Sequence, residues 1–284
     1  MNLTFLRPAL TSVALGAVLL AATAVAAPAG ADVTLAPHRA VYELKLREKR
    51  GSAGIDQVRG RIVYQFAGDA CSGYALNFRQ VTEIGNGEGQ TNVSDLRAET
   101  WEDGAGKSFR FQAKNYLNDQ LDRDTDGKAE RAADAVKVML SKPQKSSNVY
   151  DAGTLFPTAH LLKIIDEAKQ GRVLLEAAVY DGSEAGDKSY DTLTVIGKPQ
   201  TGVPADVEAA AKRPELETQT YWPVAVSYFE RGKKVDGEQT PDYQMSFDLY
   251  ANGVSRALRI DYGEFSIDGD LTELEFMKPA DCRR

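Results

Sequence analysis

The chain has 284 residues, with 34 lysines and arginines against 41 aspartates and glutamates, and a formal net charge of −7. That acidic balance argues against a nucleic-acid partner, which needs a basic face. It has only two histidines and two cysteines, with neither a His-Glu-x-x-His nor a Cys-x-x-Cys spacing, which leaves little material for a metal centre or a redox pair.

Arg7 is the only charge before Asp32, and an Ala/Val/Leu-rich run from Ser12 to Ala27 ends in Ala-Val-Ala-Ala-Pro-Ala-Gly-Ala. A basic start, an apolar centre and small residues at the end predict a signal peptide over residues 1–31. Cleavage after Ala26, Ala27 or Ala31 fits, and Ala29-Gly30-Ala31 favours the last; an uncleaved anchor is the alternative. The remaining residues, 32–284, are expected to form a single domain that has lost Arg7 and carries −8. No cysteine lies near the cleavage region, so lipid attachment is not indicated.

Period-two alternation then dominates. Tyr42, Leu44 and Leu46 predict one strand, Ile62, Tyr64 and Phe66 a second, and Tyr74, Leu76 and Phe78 a third. Gly85-Asn-Gly-Glu-Gly89 is a hairpin connection that lacks the lysine and helix of a phosphate-binding loop. Phe109 and Phe111 mark another strand, and Val136, Val138 and Leu140 its expected partner. Between them Asp122-Arg-Asp-Thr-Asp-Gly127 begins like an EF-hand calcium loop, but the twelfth position is Ala133 where a bidentate glutamate is required. A solvated polar turn is expected there instead, and no metal site.

Thr158 to Gly171 breaks the pattern. Leu161, Leu162, Ile164, Ile165 and Ala168 recur at helical spacing, Pro157 suits the start and Gly171 the residue past the end. A second, shorter helix is expected from Pro204 to Lys212, stopped by Pro214. Tyr221 to Phe229 predict an aromatic strand in which Pro223 points to an edge or a bulge. Tyr243 to Leu249 and Val254 to Tyr262 alternate around Asn252-Gly253, a strong hairpin signal, and Asp268-Gly269 reads as a further turn before a last strand. About a dozen strands with turns between them and one or two short helices predict an all-β, mainly antiparallel, closed or coiled sheet.

Chemistry is harder to find. His38 and His160 are the only candidate histidine bases, and no Gly-x-Ser-x-Gly marks a nucleophile. His160 is expected to serve as a polar residue of the helix start. Paired carboxylates give no signal in a chain with 41 acidic residues. No catalytic residue, cofactor or ligand-binding residue is assigned. Cys71 and Cys282 stand 211 residues apart, and an even pair in an exported chain suggests a disulfide, with two unpaired buried thiols as the alternative.

Several segments, in this order, resemble the cell-envelope-integrity EipB family of exported Gram-negative proteins. They are Gly153-Thr-Leu-Phe-Pro-Thr-Ala-His160, Tyr180-Asp-Gly-Ser183, Tyr190-Asp-Thr192, Trp222-Pro-Val, Tyr250-Ala-Asn-Gly-Val254 and Asp261-Tyr-Gly-Glu-Phe265, followed by Cys282. The resemblance implies a periplasmic protein folded as a many-stranded β-spiral, an open barrel-like sheet partly similar to the LolA/LolB lipoprotein carriers. It further implies a disulfide between Cys71 and Cys282, a role in envelope integrity under stress, and periplasmic protein partners that include a tetratricopeptide-repeat protein. The expected function is therefore non-enzymatic and partner-binding. A carrier or sensor of a lipid or lipoprotein ligand is the alternative, and a hydrolase is a distant third.

Overall fold

The computed structural model describes residues 33–50, 54–86, 88–204, 207–233 and 237–279. The predicted signal peptide and Cys282 lie outside the described residues. Eight strands come first: β1 (His38–Lys49), β2 (Ile55–Asp69), β3 (Gly73–Asn86), β4 (Thr91–Glu102), β5 (Ser108–Leu117), β6 (Gln120–Arg131), β7 (Ala135–Lys142) and β8 (Ser146–Asp151). Helix α1 (Pro157–Lys169) follows, then β9 (Leu174–Val179), β10 (Tyr190–Ile196), the two-residue β11 (Gln200–Thr201), a 3-10 turn (Ala209–Ala211) and α2 (Pro214–Glu217). β12 (Thr220–Glu230), β13 (Tyr243–Tyr250), β14 (Ser255–Asp261) and β15 (Phe265–Phe276) complete the described chain.

All fifteen described strands belong to one antiparallel sheet ordered 8-7-6-5-4-3-2-1-15-14-13-12-10-9, with β11 beside β12. The first and last strands are neighbours in its middle, where β1 pairs with β15 from His38–Phe276 to Lys49–Phe265. The free ends, β8 and β9, come from the centre of the chain. They meet through Leu155, just after β8, whose backbone bonds to Ala178 and Tyr180 in one parallel bridge to Val179. The sheet is thus open yet curled until its margins touch, in agreement with the coiled all-β expectation.

Side-chain alternation explains the curl. The strands around the core each carry an apolar row on one face: Ala40, Tyr42 and Leu44 on β1, Ile62 and Phe66 on β2, Leu258 and Ile260 on β14, Ile267, Leu271 and Leu274 on β15. Such a face is shielded only if it turns inward. α1 supplies further filling: Ile164, Ile165 and Ala168 pack between Phe66 and Tyr74 on one side and Trp222, Val224, Val226 and Leu249 on the other. The outward face is polar and carries cross-strand ion pairs such as Arg59–Glu83, Arg61–Glu43 and Arg79–Asp95.

Five local expectations are corrected. Asp122 to Gly127 is not a turn but part of β6, and the hairpin reverses at Asn118 and Asp119, both with positive φ. The Phe109–Phe111 strand pairs with β6, so β7 is one strand further away than expected. Asp268-Gly269 runs straight through β15, because a Cβ on Gly269 would lie 3.2 Å from Leu258 and 3.3 Å from Leu44; the glycine permits close packing, and the turn is at Gly263. Pro214 starts α2 as its first helical residue and does not end a helix; Ala205 of the expected helix lies outside the described residues, and among those described the preceding helical stretch is the 3-10 turn. Pro223 lies in β12, an interior strand, beside the gap between β10 and β11, where the missing N–H interrupts little.

Candidate functional site

Two polar constellations are buried inside the curl. The first mounts α1. The helix begins after Phe156, which offers no capping side chain, and its first turn holds no acid. Glu102, at the end of β4 and 2 % exposed, does the capping from a distance: its carboxylate accepts the backbone N–H groups of Thr158 at 2.7 Å and Ala159 at 2.8 Å. Those are the N2 and N3 amides that a local Ser or Asp would normally satisfy. Burial nevertheless pushes the Glu102 carboxyl up to about 7, against the amides and Arg131, which favour its charged form.

Arg131, at the end of β6, ties down the segment before the helix. Its guanidinium donates to the carbonyls of Gly106 (2.9 Å), Thr154 (2.6 Å) and Ala152, and lies 5.1 Å from the Phe156 ring centre. His160 stands in the first turn of α1, as expected, but is buried, 4 % exposed, with Nε2 3.4 Å from Thr192 Oγ1. Burial lowers its pKa to about 4. His38 lies among Tyr64, Phe66 and Phe276 and donates from Nδ1 to the Ala36 carbonyl at 2.7 Å. Among the described residues no carboxylate hydrogen-bonds either ring, so the pieces of a histidine-based nucleophile are not brought together.

The second constellation is a cavity of about 340 Å³ against the inner face of β3 to β6, where Gln80, Ser94, Ala98, Asn115 and Thr125 form one wall and Asp181 and Ser183 the other. Ala98 faces Ala113 across β4 and β5, and Ala113 faces Thr125, so a row of short side chains leaves the space. The opposite wall is the loop after β9. Tyr180, fully buried, donates its hydroxyl to Gly186 O at 2.7 Å and packs edge-on against Phe111, 5.7 Å between ring centres. Gly182 has φ +70° and would bring a Cβ within 2.6 Å of the Phe111 ring, so only glycine fits there. Glu184 seals the rim: its carbonyl accepts from Thr125 Oγ1 at 2.8 Å and its carboxylate pairs with Arg123 at 2.5 Å.

Sequence reasoning assigned no role to Glu102, Arg131 or Asp181. Glu102 and Arg131 lie 56 and 27 residues from Thr158, and only the register of β4, β5 and β6 brings them to the helix. Of the three aspartates of the calcium-like motif, Asp124 pairs with Lys142 at 2.7 Å, Asp126 accepts from Ser141 Oγ, and Asp122, beside a register shift, accepts from Asn115 at 3.3 Å. They do not converge on a point. Cys71 sits in the turn between β2 and β3, beside Asp69, whose carboxylate accepts its backbone N–H at 2.8 Å.

The chain is similar to known proteins over nearly its whole length. The EipB-like family model matches residues 29–278. The cell envelope integrity protein EipB of Brucella abortus (strain 2308) is 38% identical over 251 residues, covering 88% of this chain and 87% of that protein. A crystal structure from Brucella abortus, described as a β-barrel-like protein of a domain of unknown function, superposes with a TM-score of 0.80 at 36% identity and covers 87% of this chain and 100% of that one. The match of the family model and the identity over most of both chains agree: the chain belongs to the EipB-like family.

Proposed function

We propose that the protein supports the integrity of the bacterial cell envelope from the periplasm as a non-enzymatic factor that acts by holding a protein partner. The observation that carries this reading is the 38% identity, across most of both chains, to a protein named for cell envelope integrity. Location in the periplasm rests on the basic-apolar-small pattern of residues 1–31. Among the described residues no helix is long and apolar enough to cross a membrane. A disulfide between Cys71 and Cys282 belongs to the same proposal, because an exported pair has an oxidising compartment in which to form.

Partner binding suits the surface better than lipid carriage suits the interior. Leu174 on β9 and Val195 on β10 are paired across strands and about half exposed, with Val173 exposed beside them. Apolar groups gathered at a sheet margin suit a protein partner, such as one built from tetratricopeptide repeats. An acyl chain needs an apolar cavity. Here α1 fills the apolar end of the curl, and the cavity that remains carries Gln80, Asn115 and Asp181. The test is complementation. In the bacterium that carries it, loss of the gene is expected to sensitise cells to detergent and cell-wall antibiotics. The parent gene restores resistance, whereas a Leu174→Glu, Val195→Glu double variant that is exported and melts normally does not. Full rescue by that variant overturns the assigned surface, and a deletion without envelope phenotype overturns the function.

A further inference from the structure

β9 ends the sheet on its side, and one of its edges is open. Val173 O accepts from Ile196 N at 2.9 Å, so Val173, and by period two Leu175, Ala177 and Val179, turn their backbone groups towards β10. Leu174, Glu176 and Ala178 turn theirs the other way. Ala178 O is taken by Leu155 N at 2.7 Å, where the opposite margin touches. The N–H and C=O of Leu174 and Glu176 have no backbone partner among the described residues, and both residues are exposed. Unpaired backbone of this kind is matched in full by the backbone of another extended chain.

The side chains along the edge narrow the choice of that chain. On the outer face Leu174 lies across from Val195, and Glu176 across from Leu193. Glu176 forms no ion pair among the described residues, whereas Asp191, the next acid on that face, is held by Arg231 at 3.0 Å. Glu176 and Asp191 line a hollow of about 490 Å³ together with Leu193 and Phe229. A long basic side chain fits it, with its stem on the apolar pair and its head at the free carboxylate. Between Leu174 and Glu176, Leu175 faces inward and is only half-buried against the core that α1 fills. A second copy of this chain is a poor match. Two β9 edges paired antiparallel about the centre of the strand set Glu176 opposite Glu176, and each copy has a formal net charge of −7.

We infer that β9 receives an extended segment of the partner protein as an added strand. Its backbone bonds to Leu174 and Glu176, an apolar side chain lies beside Leu174, another covers Leu175, and a lysine or arginine meets Glu176. This rests on the partner-binding reading above and gives the docking segment a chemistry: a tail or linker in which apolar and basic residues alternate along one face.

The probe is the synthetic peptide acetyl-Ser-Lys-Val-Val-Val-Lys-Ser-amide, whose pattern is the same in either strand direction, titrated into the purified chain with amide exchange followed by NMR. Saturable binding is expected to slow exchange of the Leu174 and Glu176 amides, which are fast in the free protein, while those of Leu175 and Ala177 are slow throughout. The peptide with glutamate in place of both lysines is expected to bind roughly fivefold more weakly or worse. Glu176→Pro removes a donor that faces the open edge and spares the β10 ladder, so it is expected to fold and to lose binding. Glu176→Gln is expected to keep binding and lose the preference for lysine. No saturable binding, protection of other strands instead of β9, or undiminished binding by Glu176→Pro overturns the inference; if the proline variant does not fold, the exchange pattern of the parent decides. Failure here is separable from failure of the envelope reading. Full complementation by an exported Glu176→Pro, where the Leu174→Glu, Val195→Glu variant gives none, overturns strand addition and leaves the surface standing. A deletion without envelope phenotype overturns that reading and leaves the peptide result intact.

Discussion

Glu102 and Thr158 are joined by a 2.7 Å hydrogen bond from the helix backbone to the carboxylate of a strand 56 residues earlier, and Ala159 adds a second at 2.8 Å. Replacing Glu102 with alanine orphans two buried amides and is expected to cost about 1–3 kcal/mol, read by urea denaturation. pH gives a sharper test. The folded carboxyl titrates near 7, above the unfolded value of about 4.3, so its stabilising contribution is complete at low pH and is lost as pH rises towards 7. Glu102→Gln carries no such titration. Its stability relative to the parent is expected to rise between pH 5 and pH 8, by at most about 3 kcal/mol. A relative stability that is flat or falls across that range contradicts the assigned environment.

His160 titrates in the opposite sense. Burial depresses its folded pKa to about 4, so the ring is neutral throughout the physiological range. Its stabilising contribution is present above about 6.5 and is lost as pH falls towards 4. In an NMR titration the Cε1 proton of His160 is expected to hold its position from pH 8 down to pH 5. A midpoint near 6.5 places the ring in solvent and refutes the packing.

Arg256 on β14 is the most buried of the ion-paired cations, with its side chain 11 % exposed between Glu208 at 3.1 Å and Asp248 at 2.6 Å. Removing it leaves two half-sheltered carboxylates facing each other. Arg256→Ala is expected to destabilise by about 3–5 kcal/mol in denaturant titrations, and Arg256→Lys to recover part of that. A loss below about 1 kcal/mol assigns the trio the weight of an exposed pair.

The proposed crosslink between Cys71 and Cys282 closes a long loop, for which chain entropy gives up to about 5 kcal/mol. Cys71→Ser and Cys282→Ser are each expected to melt below the oxidised parent and together with the reduced parent. Identical melting of oxidised and reduced parent protein removes the crosslink from the fold's energetics.

Hairpins and α1 were legible because each is written in adjacent residues: alternation around Asn252-Gly253, and a 3.6-residue apolar stripe from Leu161 to Ala168. Misreadings arose where local composition and tertiary context disagree. Asp122 to Gly127 has the residues of a turn, but its aspartates need only the solvent face of a strand, while Thr125 and Gly127 fit the crowded inner face. Gly269 has the same logic. The Glu102 mount and the Asp181 cavity had no signal at all, since each draws on strands and loops distant in sequence. Their polar residues become distinctive only once burial has removed water from them.

Because β1 lies between β2 and β15, its second edge is filled only by the final strand of the chain. A polypeptide emerging amino end first can zip β1 to β8 into a ribbon, yet that ribbon keeps an unmatched border until Phe265–Phe276 arrives. Completion of the curl is thereby deferred to the last moments of delivery. If the chain is exported as proposed, such lateness is an advantage: the joint that locks the two halves cannot set while any of the sheet is still on the wrong side.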